Sequence, residues 1–120
     1  MAQVKFIIHK GKKILLADFT YSKPEEMLEA IEAVKKTVKK YPEKSVLALI
    51  DVRFSPFDAE LSNALKHMAA ADRPYIKMTA IVGVTGLKRL AYKAMTRFSG
   101  RKNIVVFDKI DTAKDWLVEQ

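Results

Sequence analysis

The segment SVLALIDV, residues 45–52, is the strongest single constraint on how this chain folds. It is a nearly unbroken apolar run, far short of the roughly 18 to 20 residues that cross a bilayer, and it predicts a strand covered on both faces. Such a strand sits in the middle of a sheet with helices on either side, and the flanking sequence has the matching pattern. Before it, SKPEEMLEAIEAVKKTVKKY (22–41) places Met27, Ile31, Val34, Val38 and Tyr41 at helical spacing. After it, SPFDAELSNALKHMAAADRP (55–74) places Leu61, Leu65 and Met68 on one stripe and ends at Arg73-Pro74.

The helix starts carry their own signals. Ser22, followed three residues later by Glu25, predicts a capping box, and Ser55 before Pro56 predicts the cap of the second helix. Acidic residues 25, 26, 29 and 32 precede basic residues 35, 36, 39 and 40, so the first helix opposes its own dipole with charge at both ends. At the N-terminus, QVKFII and KKILLADF read as short strands around HKGK, where Gly11 permits a tight antiparallel turn. The strand KMTAIVGV, the helix GLKRLAYKAMTRF, the strand NIVVF and a last helix near DTAKDWLVE complete the series. A hairpin followed by alternating strands and helices predicts an α/β fold with a mixed five-stranded sheet, parallel after its first strand. At 120 residues, without a linker or repeat, the chain reads as one domain over residues 1–120.

Charge is the feature most relevant to function. The net charge is +8, and all of the excess lies in one stretch: from Arg73 to Phe107 there is no Asp or Glu. The cations there are Arg73, Lys77, Lys88, Arg89, Lys93, Arg97, Arg101 and Lys102, while the remainder of the chain carries 14 basic and 14 acidic residues. A concentrated field of this kind attracts phosphates, nucleic acid or a membrane surface. Arg89, Lys93 and Arg97 are successive i,i+4 neighbours, a like-charge ladder that costs a helix about 0.2 to 0.5 kcal/mol per pair. Leu87, Leu90, Ala91, Ala94 and Phe98 form the expected inner stripe, which turns Lys88, Arg89, Lys93 and Arg97 outward with Tyr92 and leaves Met95 at the border.

VGVTGLKR (82–89) superficially looks like a phosphate-binding turn. It has neither the glycine spacing of a Walker loop nor a hydroxyl after the lysine, so it is no nucleotide-hydrolysis loop. Gly83 reads as part of the strand, Thr85 and Gly86 as the helix entrance and Gly100 as its left-handed end. Other catalytic patterns find equally little support. His9 and His67 have no ligand cluster at metal spacing, and no nucleophile elbow is present. Asp51, Thr85 and Lys109 fall at predicted strand ends but lack the paired acids of a magnesium site. The expectation is therefore a non-enzymatic domain with no metal and no cofactor. The absence of cysteine is compatible with a reducing compartment, and the N-terminus reads as neither signal peptide nor span, so the expected location is the cytoplasm.

The element order, with LALIDVRFSPFD leaving the third strand and AIVGVTGLKR leaving the fourth, resembles the STAS domain. The likeness is nearest to small bacterial anti-sigma-factor-antagonist-like proteins, often described as STAS-like or CRAL-TRIO-like. It covers essentially the whole chain, most tellingly YIKMTAIVGVTGLKRLAYKAMTRFSGRKNIVVFD. The resemblance implies a small cytoplasmic module that binds partners or ligands, and it leaves room for a homodimer. Such antagonists place a phosphorylatable serine at the start of the second helix. Here the region reads FSPFDAEL: Asp58-Ala59 offers no hydroxyl and Ser55 lies earlier, so Ser55 and Asp58 mark the corresponding regulatory loop without the usual switch motif.

Two function classes follow. The first is a binding or regulatory module whose Thr85, Gly86, Lys88, Arg89, Lys93 and Arg97 meet an anionic membrane surface or an acidic protein. The second, implied by the CRAL-TRIO likeness, carries a small apolar or lipid-like acid between helices and sheet. Nucleic-acid binding ranks third, because Tyr92 stands almost alone as a stacking aromatic near the cations.

Overall fold

The computed structural model describes residues 2–86 and 88–120. Strands β1 (Gln3–His9) and β2 (Lys12–Asp18) form the N-terminal hairpin, in register from Gln3 opposite Asp18 to His9 opposite Lys12. Its turn holds Lys10 at φ 48° and Gly11 at φ 80°, the doubly left-handed geometry of a two-residue hairpin. Helix α1 (Pro24–Val38), strand β3 (Val46–Asp51), helix α2 (Ala59–Asp72), strand β4 (Ile76–Val82), helix α3 (Lys88–Ser99), strand β5 (Ile104–Phe107) and helix α4 (Ile110–Val118) follow. The sheet order is β1-β2-β3-β4-β5, antiparallel only between β1 and β2.

This strand order dictates the layers. Strands β2 to β5 are added in one direction, so right-handed crossovers place α1, α2 and α3 on the same face. The last helix, α4, covers the other. Alternation along β3 serves both layers: Val46, Ala48 and Ile50 join Met27, Ile31, Leu61, Met68 and Met95 beneath the three helices. Leu47 and Leu49 join Ile14, Leu16, Ala80, Val82, Ala113 and Leu117 beneath α4. All six residues of β3 are buried, as a strand covered on both faces requires.

The helix starts differ in detail from expectation. Helix α1 is entered one residue later than Ser22 and Glu25 imply: the Glu26 carboxylate accepts from the Lys23 backbone N–H at 2.8 Å, while the Ser22 hydroxyl donates to the Thr20 carbonyl. Asp58, not Ser55, caps α2, accepting from the Leu61 N–H at 2.8 Å. Ser55 instead donates to the Val52 carbonyl at 2.7 Å and closes the turn that leaves β3. Strand β4 ends at Val82, so Gly83 lies just beyond it at φ 96°. A Cβ there would fall 2.6 Å from the Arg53 Cγ and 2.7 Å from the Arg53 nitrogen, so glycine is what lets the two loops touch.

Candidate functional site

Helix α3 carries the charge that the sequence concentrates, but it is rotated from the expected setting. Lys88, Ala91, Tyr92 and Met95 line the interior, and Met95 and Ser99 are buried. Leu90 and Phe98, expected in the inner stripe, are 64% and 54% exposed. Leu87 lies outside the described residues. With about 100° between successive helical residues, the observed inward face sits roughly 100° from the one expected.

Specific contacts hold that rotation. The Tyr92 hydroxyl donates to the Ile104 carbonyl at 3.3 Å, so this aromatic faces β5 rather than solvent. Lys88 Nζ donates to the Val52 carbonyl, joining the first turn of α3 to the end of β3. Partial burial pushes the Lys88 ammonium below its ordinary value, and Asp51 opposes that shift. Lys88 is therefore an inward-facing tie between elements and not a member of the outer basic face. The carbonyls of Thr85 and Gly86 accept from Lys88 N and Arg89 N at 3.1 Å each, and Thr85 and Gly86 themselves are exposed. At the far end Gly100, at φ 67°, receives the helix as expected, its N–H donating to the Thr96 carbonyl.

The outer surface of α3 then has two parallel ridges. Arg89, Lys93 and Arg97 are exposed and form one. Leu90, Ala94 and Phe98, each one residue further on, form the other, with Phe98 set edge-on to His67 of α2 at 5.2 Å. No acid lies in the helix. Among the described residues, none of the three cations forms an ion pair with a carboxylate.

Between α2, α3 and the ends of β3 and β4 lies an apolar pocket of about 50 Å³. Leu61, Leu65, Phe57, Met95 and Tyr92 contribute to its walls, and Lys88 is its cation. Ser55 borders the pocket, whereas the exposed Asp58 is engaged at the α2 cap. Two polar residues at strand ends, Asp51 and His9, have side-chain partners. Asp51 is buried, and Arg53 grips it through Nε at 3.0 Å and Nη2 at 2.8 Å, with the Asp51 carboxylate holding the guanidinium above its ordinary value. His9 Nε2 lies 2.7 Å from Asp115 Oδ1. Among the described residues, no three His, Asp or Glu side chains gather at metal-binding spacing, and no helix is long and apolar enough to cross a membrane.

No family model and no curated protein matches this chain. Among solved structures, it is similar to an uncharacterized protein of the DUF3478 family from Shewanella loihica PV-4, described as having a SpoIIAA-like fold. The two share 20% sequence identity with a TM-score of 0.64, over 97% of this chain and 93% of the other. The fold is thus SpoIIAA-like, that is, STAS-like: one α/β domain built on a five-stranded mixed sheet.

Proposed function

We propose that this domain is a non-enzymatic binding module that settles on an anionic membrane surface through the outer face of α3. The observation that carries the proposal is the pairing of ridges: exposed Arg89, Lys93 and Arg97 beside exposed Leu90 and Phe98, with half-buried Ala94 between the two apolar side chains. Cations alone suit any polyanion. Large apolar side chains held beside them in water suit an interface with both charge and hydrocarbon, as amphipathic interfacial helices do. A SpoIIAA-like fold is consistent with a regulatory or binding role. An acidic protein is the competing partner, and nucleic acid is disfavoured because Tyr92 is turned inward.

Co-sedimentation with phosphatidylglycerol vesicles tests this reading. Wild type is expected to bind at low salt and to be released as salt rises. R89E/K93E should abolish binding through charge, and L90S/F98S should weaken it at constant charge. Equal binding by L90S/F98S would favour the acidic-protein reading.

The pocket beneath α3 favours a second, narrower reading. Its apolar walls and the Lys88 ammonium suit a carboxylate with a short apolar tail. A volume of about 50 Å³ holds only a few non-hydrogen atoms, so the lipid-like end of the carrier class fits poorly. Mass spectrometry of the gently purified protein distinguishes the two readings: a retained short-chain acid supports a carrier.

A further inference from the structure

The four cations of the acid-free stretch that do not belong to α3 meet at the opposite end of the sheet. Arg73 follows α2, Lys77 lies on β4, and Arg101 and Lys102 follow α3. Together with Lys44, from the loop between α1 and β3, they line an open concavity of about 460 Å³. Gly100, Asn103 and Met78 complete it, and no acid is among its walls.

The concavity is held by specific structure. Lys44 sits at φ 53°, a left-handed setting that is costly for a residue with a side chain, and its N–H donates to the Pro74 carbonyl at 3.0 Å. Gly100 sits at φ 67°, and a Cβ there would approach the Arg73 Nη1 to 3.3 Å. The floor is Arg101, which is buried and fixed through Nε to Asn103 Oδ1 at 3.0 Å and through Nη2 to Thr79 Oγ1 at 2.7 Å. Arg73 Nη1 reaches the Ser99 carbonyl at 3.5 Å, and Lys77 Nζ donates to the main-chain oxygen of Gln120 at 2.9 Å. Among the described residues, none of the five cations pairs with an Asp or Glu side chain within 4.0 Å. Asp72 lies behind Arg101 and attracts it, but burial raises that carboxyl to about 7, so it neutralises the cluster only in part at neutral pH.

We infer that this concavity is a binding site for a small anion bearing more than one phosphate. Five cations from three loops and one strand converge where no Asp or Glu side chain pairs with them and Asp72 behind Arg101 offsets them only in part, and the exposed four, Lys44, Arg73, Lys77 and Lys102, offer charged donors that suit phosphate oxygens. The site is separate from the outer face of α3 and does not depend on the membrane proposal. The phosphates belong either to a free anion or to a lipid headgroup, and the same charge chemistry serves both.

The test uses inorganic pyrophosphate as the free anion, followed by NMR of the full chain at low salt. Saturable shifts at Arg101, Lys102 and Asn103 are expected, and R73Q/K102Q should weaken pyrophosphate binding by about tenfold or more. R89Q/K93Q removes the same charge from α3 and should leave the affinity within about twofold. K44Q/K77Q, on the other rim, repeats the test should R73Q/K102Q fold poorly. Vesicles of cardiolipin, whose headgroup bears two phosphates, then separate the sources. Loss of vesicle binding in R73Q/K102Q assigns the phosphates to a headgroup, and its retention assigns them to a free anion. No saturable pyrophosphate binding by wild type, or equal weakening in R73Q/K102Q and R89Q/K93Q, overturns the site, whatever the vesicles show for α3.

Discussion

Arg101 donates from Nη2 to the Thr79 hydroxyl at 2.7 Å, and both side chains are buried. The bond anchors the segment after α3 to β4 and leaves a carboxylate behind it unanswered. Asp72, 2% exposed at the end of α2, has an Oδ1 without a hydrogen-bond partner among the described residues. Desolvation raises its pKa from 3.8 to about 7, against the attraction of Arg101, Lys35 and Lys39.

A pH dependence follows from that shift. The folded state holds the Asp72 proton more tightly than the unfolded chain, so stability is unpenalised below about pH 4, falls as pH rises toward 7, and levels off above it. The loss is on the order of 4 kcal/mol if the full shift applies. Asp72→Asn should flatten this slope and melt above wild type at about pH 8. Chemical denaturation of both proteins across that range is the check, and a steeper slope in the variant would contradict the assignment.

The rotation of α3 separates two leucines that look alike in sequence. Leu61 is 1% exposed, so Leu61→Ala should cost about 2 to 5 kcal/mol. Leu90 is mostly in solvent, so Leu90→Ala should cost less than about 0.5 kcal/mol. Urea midpoints for both variants decide it. A large loss at Leu90 would restore the sequence-based stripe and remove the apolar ridge.

How far the sequence could be read turned on whether a pattern had one solution. Val46 to Ile50 had one, because an unbroken apolar run has no polar face to turn outward. The Lys10-Gly11 hairpin turn and the left-handed Gly100 were equally legible, since few residues suit those settings. Helix α3 was ambiguous. Apolar residues at 90, 91, 92, 94, 95 and 98 cover so wide an arc that either flank could face the sheet. The choice was made by partners distant in sequence: Ile104 for Tyr92 and Val52 for Lys88. The basic concavity was hidden for the same reason, since only the loop pairing of Lys44 with Pro74 brings Lys44 beside Arg73.

The cap of α2 gives a local comparison. Asp58→Ala removes the acceptor for the Leu61 N–H and should cost about 0.5 to 2 kcal/mol. Asp58→Asn, which keeps a capping oxygen, should be nearly neutral. Thermal melts of the pair test it, and equal losses would show that charge, not capping, is what Asp58 contributes.

The loop contact at Gly83 predicts a sharper effect than the exposed Gly86. Both have positive φ, but a Cβ at Gly83 meets the Arg53 backbone, while at Gly86 it meets nothing within 4 Å. Gly83→Ala should therefore destabilise by at least about 2 kcal/mol, and Gly86→Ala by about 1 kcal/mol. Comparable losses in equilibrium unfolding would mean that the Arg53 loop simply moves aside.

Binding to phosphatidylglycerol vesicles at low and high salt, compared among wild type, R89E/K93E and L90S/F98S, tests the α3 interface most directly. Wild type should bind at low salt and release as the screening length falls below about 8 Å. Both variants should keep the wild-type circular dichroism, because all four side chains are exposed; the first should lose binding and the second should retain only a salt-sensitive remnant. Wild type that fails to bind at low salt, or an R89E/K93E variant that binds as well as wild type, would contradict the proposal.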